Sequence, residues 1–458
     1  MLSPTDCSVT DTLSGYVTDI PYERGFKPML APAWLDFAAL LGGVTPPRPQ
    51  PAFRWCDLGC GQGVTAAILA ALHPAGLFHG IDAMPSHIEH ARGLASDLGA
   101  DNVRFDAVDF AAAGGLGLPP FDYIVTHGVY TWVAPSVRRQ LLAFIDDHLR
   151  PGGLVYISYN ALPGWTGDLP FQYLARALAE TGAGDSGNRF AAASRLIQHL
   201  ADADVAALAG SYMVRELHDN AGNYPRGYLV HEFLHTGWQP LYVTELRDDL
   251  AAFGLRPVAS ALPMENFDTW ILTARQRELL APIGDPDRRE LLRDFCIDQR
   301  FRCDVFTRDA APLDAEEQQS RLLNAGLALA RAPSAITYRA TTPAGELDYD
   351  NPTARAIVTR LAAGARCLAE FEASDGTPRD RIAAALALCA AGDLRPVETN
   401  RVTVGPINQA LRRRLGGPAE VPLVALPCGT ALEPEPASLL GMSGSDAGWR
   451  ELLALHGV

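Results

Sequence analysis

From Phe53 onward the apolar positions change their period at short intervals. "FRWCDL" alternates as a strand does, "GCGQG" is a tight turn, and "VTAAILAALHP" carries apolar residues at helical spacing until Pro74. "GLFHGID" predicts a second strand and "SHIEHARGLASDLG" a second helix, with Ser86 as N-cap and Gly99 as its stop. "NVRFDAVD" and "FDYIVTHG" predict strands three and four. "SVRRQLLAFIDDHLRPGG" predicts a helix ending at Pro151-Gly152-Gly153, and "LVYISYN" a fifth strand. This alternation of strand and helix predicts a doubly wound, mainly parallel sheet.

The rhythm then breaks. Across 166–240, "PFQYLARALAE", "RFAAASRLIQHLADADV" and "SYMVRELHDN" read as helices, followed by the loop "AGNYPRG". It returns at 242–272 with a helix, "YVTELRDDLAAFGL", and two stretches read as strands six and seven, "RPVASAL" and "DTWILTAR". The helical block is then an insertion leaving the carboxyl end of strand five, the edge where open parallel sheets bind ligands, and it is placed to be a lid or a substrate wall. The expected division is a lid segment at 1–50, a Rossmann-like domain at 51–165 and 241–275, a helical insertion at 166–240, and a C-terminal interaction domain at 276–458. Within the lid segment a helix is predicted from about Pro32 to Leu41. In the last region "RRELLRDFCIDQRFRCDVFTRD" reads as helical and arginine-rich. "TARAIVTRLAAGARCLAEFEASDGTPRDRIAAALALCAAGDLRPV" reads helix, turn, helix, strand, a winged-helix-like α+β pattern. Its second helix is nearly all alanine and leucine beyond the first turn, which predicts packing or dimerisation, not groove reading.

Composition narrows the function classes. The chain has 458 residues, more than one ordinary domain, with 48% hydrophobic and 20% charged residues. Its first residues lack a basic start and an apolar core, so no signal peptide is expected. No window approaches the roughly 18 continuous apolar residues of a membrane span, so a cytoplasmic protein with no membrane partner is expected. The eight cysteines are scattered without a Cys-x-x-Cys pair, which predicts neither a disulfide framework nor a metal cage. A net charge of −15 argues against nucleic acid as a partner. Lys27 is the sole lysine among 38 basic residues, a bias that a GC-rich genome explains.

"DLGCGQG" ends strand one and opens a helix, with Asp57 two positions before the first of three alternate glycines. Such glycines let backbone approach a ligand. A dinucleotide fingerprint wants its third glycine one place later, where Val64 stands. "HGID" puts Asp82 at the end of strand two, where a carboxylate can accept both ribose hydroxyls, and "FDAVD" puts Asp109 at the end of strand three, within reach of an adenine amino group.

As a set, from Phe53 to Asn160, these features resemble the class I S-adenosylmethionine-dependent methyltransferases. A finer resemblance lies in "IPYERGF", "HGVYTWV", "SYNALPGW" and "YLVHEFLHTGWQPLY", continuing through "LRDFCIDQRFRCDVFTR" to "LPCGTALEPEPASLL". These are similar to methyltransferases carrying a so-called regulatory domain, a group that includes bacterial protein-lysine methyltransferases. "PYERGF" departs from that family's wording in its second half. The resemblance implies a seven-stranded Rossmann-like sheet and S-adenosylmethionine as cofactor. It implies Asp57 near the methionine amino group, Gly59, Gly61 and Gly63 under the methionine and ribose, Asp82 on the ribose, and Asp109 on the adenine. Ala83, Phe110 and His127 would lie beside the cofactor and Tyr22 would close over it.

In that architecture the ends of strands four and five flank the transferable methyl. His127, Tyr130 and Trp132 follow strand four; Tyr159, Asn160 and Trp165 follow strand five. The expected catalytic set is Asn160, Tyr130, Tyr159 and His127, with Tyr159 and Asn160 facing the acceptor. Tyr130, Trp132 and Trp165 are expected to form an aromatic wall for an alkylammonium. His127 is either a base or an imidazole satisfied by a backbone carbonyl. His231-Glu232 resembles half a metal motif without a second histidine at the required spacing and is read as structural. The function expected is methyl transfer to a protein, at a lysine amine, with self-association into a homodimer considered. The alternatives are a small-molecule or glycan methyltransferase and a non-catalytic cofactor-binding regulator. The acceptor atom and the substrate are not named by the sequence.

Overall fold

The computed structural model describes residues 12–13, 15–22, 24–47, 52–220, 224–364, 366–415, 423–432 and 445–458. Cys7 and residues 433–440 of the late "LPCGTALEPEPASLL" motif lie outside them. The core is a seven-stranded sheet of β1 (Arg54–Leu58), β2 (Leu77–Asp82), β3 (Val103–Ala107), β4 (Phe121–Thr126), β5 (Leu149–Asn160), β6 (Arg256–Ser260) and β7 (Phe301–Thr307). Their order is β3-β2-β1-β4-β5-β7-β6, with β7 antiparallel to both neighbours. The register sets Trp55 of β1 beside Phe78 of β2 and Tyr123 of β4. Strand order reverses between β1 and β4, so a crevice opens beyond their carboxyl ends.

Alternation along the strands sends side chains into two layers. Trp55, Phe78, Tyr123 and Tyr156 pack with the helix Val64–Leu72, whose residues are nearly all buried. Leu58, Ile124 and Tyr159 pack on the other face with Leu141 and Ile145 of the helix Pro135–His148 and Leu246 of the helix Val243–Ala251. The helix Pro32–Leu41 forms as expected, while the helix Pro85–Leu98 is entered through Met84 and Pro85, so Ser86 lies in its first turn and caps nothing. Gly99 does stop that helix, at φ +67°.

The seventh strand departs from expectation. "DTWILTAR" folds as the helices Asp268–Ile271 and Ala274–Leu280, and the strand is Phe301–Thr307, inside the run read as helical. Charge hid it. Arg302 and Asp304 sit on a buried strand because Arg302 is paired with Asp304 (2.8 Å), Glu290 (2.7 Å) and Asp294 (2.5 Å). The sheet therefore takes a strand from beyond residue 275.

The described part of the insertion is mainly helical, as Leu169–Glu180, Ser186–Asp202, Tyr212–Asn220 and Arg226–Phe233, around a core that includes Phe171, Phe190, Ile197 and Phe233. The C-terminal region contains the expected helix, helix, strand series at Pro352–Ala362, Pro378–Ala390 and Leu394–Pro396, and the alanine-rich helix is packed inside. Among the described residues no helix is long and apolar enough to cross a membrane.

Candidate active site

A cavity of about 220 Å³ lies at the reversal of strand order. Gly59 and Gly61 form part of its floor, Asp82 ends β2 with Ala83 after it, and Asp109 and Phe110 follow β3. His127 and Trp132 follow β4, and Tyr16 and Tyr22 close it from the N-terminal segment.

The glycines divide the work. A Cβ on Gly59 would fall 2.4 Å from the Val129 side chain, whereas one on Gly61 would meet nothing within 4 Å because that residue faces the opening. A Cβ on Gly63 would fall 2.3 Å from Ala91, so Gly63 lets two helices approach and is not a cavity wall.

Asp82 is held on three sides. Its Oδ2 accepts the Gly61 N–H (2.9 Å); its Oδ1 accepts the Met84 N–H (2.9 Å) and meets His87 Nδ1 (3.2 Å). The other ring nitrogen of His87 accepts the Tyr22 N–H (3.3 Å), so the proton is on Nδ1 and points at Asp82. His87, five residues past Asp82 on the amphipathic helix Pro85–Leu98, is a contact that the sequence pattern alone does not single out. The same N-terminal segment is tied to the insertion by a Val17 N–H donated to His235 Nδ1 (3.1 Å) and by His231 Nε2 against the Ile20 carbonyl (2.8 Å).

Asp109 stands two residues beyond the end of β3, lines the cavity, and caps the short helix Phe110–Ala113 by accepting the Ala112 N–H (2.8 Å). Asp57 is buried, and among the described residues no cation pairs with it. Its carboxyl is pushed up to about 8, first by burial and then by the charge of Asp82. Asp57 sits in β1 two residues before Gly59 and is not among the residues that line the cavity; a positively charged ligand nearby would favour its ionised form.

At the acceptor end the expected set divides. Neighbouring strand residues face opposite ways, so Tyr159 and Asn160 cannot share a site. Tyr159 turns into the layer of Leu141 and Leu246 and donates to Asp304 (2.8 Å). Tyr130 enters the same layer and donates to Asp249 (2.9 Å). Neither lines the cavity, and the expected aromatic wall is absent. Trp132 lines the cavity, but Trp165 packs edge-on against Trp238 at 5.1 Å and has the Arg300 guanidinium 3.7 Å over its ring. His127 lines the cavity with Nδ1 2.9 Å from the Tyr156 hydroxyl, not on a backbone carbonyl. Burial, aided by the charge of Lys27, lowers its pKa to about 3, so the imidazole stays neutral and is a poor base.

Asn160 donates its backbone N–H to Thr131 Oγ1 (3.0 Å) and its side-chain Nδ2 to Glu232 (2.7 Å). Glu232 also accepts the indole N–H of Trp132 (3.2 Å) and of Trp238 (3.2 Å). His231 and Glu232 thus point to different partners, the one to the N-terminal segment, the other to β5.

A second cleft, about 450 Å³, opens on the β6–β7 edge. Its arginines Arg247, Arg289, Arg293 and Arg302 are each already paired with Asp or Glu, so its charge calls for no ligand.

Residues 50–185 match a family described as a methyltransferase domain, and residues 225–308 one described as a predicted methyltransferase regulatory domain. The Synechocystis sp. protein sll1526 is 31% identical over 363 residues, 79% of this chain and 72% of that one. The chain belongs to the S-adenosylmethionine-dependent methyltransferases with a regulatory domain. A Rickettsia prowazekii protein, RP028, is 35% identical over 150 residues, 32% of this methyltransferase and 58% of the relative. The fold matches that of PKMT2 from Rickettsia typhi in complex with AdoHcy at a TM-score of 0.69 and 18% identity, covering 95% of this chain and 91% of that one.

The cofactor of this methyltransferase is S-adenosylmethionine, which supplies an electrophilic methyl group on a sulfonium when bound. The residues that could hold it are those of the 220 Å³ cavity, with Asp82 prearranged by Gly61, Met84 and His87. What the chain must add is an acceptor held in line with the methyl, largely a matter of positioning.

Proposed function

We propose that this enzyme methylates a protein, at a lysine amine. The observation that carries the proposal is the extent of the fold likeness: it runs over 95% of the chain, through the insertion and the C-terminal region, to a protein-lysine methyltransferase. A methyltransferase sheet alone would suit many acceptors. In this reading Asp82 takes the ribose, Asp109 and Phe110 the adenine, and Asp57 the methionine ammonium. Gly59, Gly61 and Ala83 form the floor, and Tyr16 and Tyr22 are the cover. The insertion and C-terminal region recognise the substrate protein. The described cysteines are all free, which suits a reducing cytoplasm.

The test is incubation of the purified enzyme with methyl-labelled cofactor and an extract of the source cells. Label in a discrete protein band that survives mild base is expected. Label confined to the small-molecule fraction would contradict the proposal and favour the small-molecule alternative.

A further inference from the structure

Glu232 is 5% exposed, yet it forms no ion pair among the described residues. Its three hydrogen-bond donors are all neutral: Asn160 Nδ2 (2.7 Å) and Trp238 Nε1 (3.2 Å) on Oε1, and Trp132 Nε1 (3.2 Å) on Oε2. Two carboxylate oxygens offer about four acceptor sites, so Oε2, on the Trp132 side, keeps one open. Arg300 acts on the acid through space; its Nη1 pairs with Asp168 (2.6 Å) and its plane lies over Trp165, while among the described residues its buried Nη2 has no hydrogen-bond partner and it makes no ion pair with Glu232. Burial pushes the Glu232 carboxyl up while the three N–H groups hold it down. A buried carboxylate with no ion pair of its own is costly, and the open acceptor site on Oε2 suits a cation.

The surroundings suit one kind of cation. Trp132 and Trp238 present indoles to Glu232, and Trp165 stands edge-on to Trp238. One turn earlier on the same helix, half-buried Tyr228 lies within electrostatic reach of Glu232 and of Tyr22. The indoles turn their N–H edges to Glu232, so it is the carboxylate, in an apolar pocket that strips water, that would hold an ammonium group. Trp132 is also a wall of the cofactor cavity, and Glu232, which does not itself line that cavity, stands behind this wall on the indole N–H, next to Asn160 at the end of β5.

We propose that Glu232 anchors the ammonium group of the acceptor, with Asn160 as a positioning residue that holds its carboxylate. The proposal rests on the amine reading above and names the group that would enforce it.

The test needs no substrate. Sinefungin carries an amine-bearing carbon in place of the methylated sulfur, so its ammonium projects toward the acceptor side; S-adenosylhomocysteine has nothing there. Calorimetry gives the affinity of both for the wild type, E232Q and N160A. The wild type should bind sinefungin at least ten-fold more tightly than S-adenosylhomocysteine. E232Q should bring the ratio to within two-fold while leaving S-adenosylhomocysteine affinity within three-fold, and N160A should lower the ratio part of the way. A ratio that E232Q leaves unchanged overturns the proposal. If E232Q loses S-adenosylhomocysteine binding, and so the fold of the site, N160A decides: a lowered ratio supports the anchor and an unchanged one overturns it. The amine reading fails separately, by label on a hydroxyl-bearing product, whatever the ratio.

Discussion

The cavity and the acceptor end proposed beside it are built differently. At the cofactor end each element supplies its contribution within a few residues of a strand terminus: Gly59 and Gly61 after β1, Asp82 and Ala83 at β2, Asp109 and Phe110 after β3. At the acceptor end the contacts join distant segments. Asn160 meets Glu232 across 72 positions, and Trp132 meets it across 100. The first end is a local consequence of a parallel sheet, and the second exists only because an insertion folds back over that sheet. A substitution should therefore damage one end and spare the other.

The largest effect belongs to Asp82→Ala. It strands the Gly61 and Met84 N–H groups and the His87 proton, and we expect cofactor affinity to fall at least a hundred-fold, about 2.7 kcal/mol, measured by calorimetry. Normal affinity would undo the assignment of the cavity. Next is Asn160→Ala, expected to lower turnover at least ten-fold while cofactor Kd stays within two-fold, because only the Glu232 arm is cut. Turnover unchanged from wild type would remove Asn160 from the acceptor end.

His127 gives a pH signature. Its folded pKa of about 3 lies below the unfolded value near 6.5, so between these values the unfolded chain binds the extra proton. Stability from this group is complete above pH 6.5 and is lost as pH falls, by up to about 1.4 kcal/mol per unit. Denaturant titrations of His127→Gln against wild type at pH 7 and pH 5 should show a shallower loss in the variant, while parallel curves would place the histidine in a wetter site. The smallest effect is Tyr130→Phe. Losing its bond to Asp249 should cost about 1 kcal/mol of stability and leave both cofactor affinity and turnover within two-fold. A large drop in turnover would return Tyr130 to the acceptor end.

The same contrast explains what was legible in the sequence. Six of the seven strands, the glycine turn, and the acids at the end of β2 and after β3 follow from periodicity and from chemistry at strand ends. The seventh strand did not, because Arg302 and Asp304 interrupt its apolar pattern and their burial depends on Glu290 and Asp294 from a separate helix. Tyr130, in the loop after β4, and Tyr159, near the end of β5, both turn into the layer on the far face of the sheet, and side-chain direction there depends on Asp249 and Asp304 far along the chain. Glu232 was visible only as half a metal motif; its meeting with Asn160 and Trp132 is a tertiary event.

The central claim is methyl transfer to a lysine amine of a protein, and amino-acid analysis of the labelled protein tests it most directly. After complete acid hydrolysis, the account predicts label eluting with mono-, di- or trimethyl-lysine. Label released as volatile methanol by mild base, or eluting with any other amino acid, would contradict it.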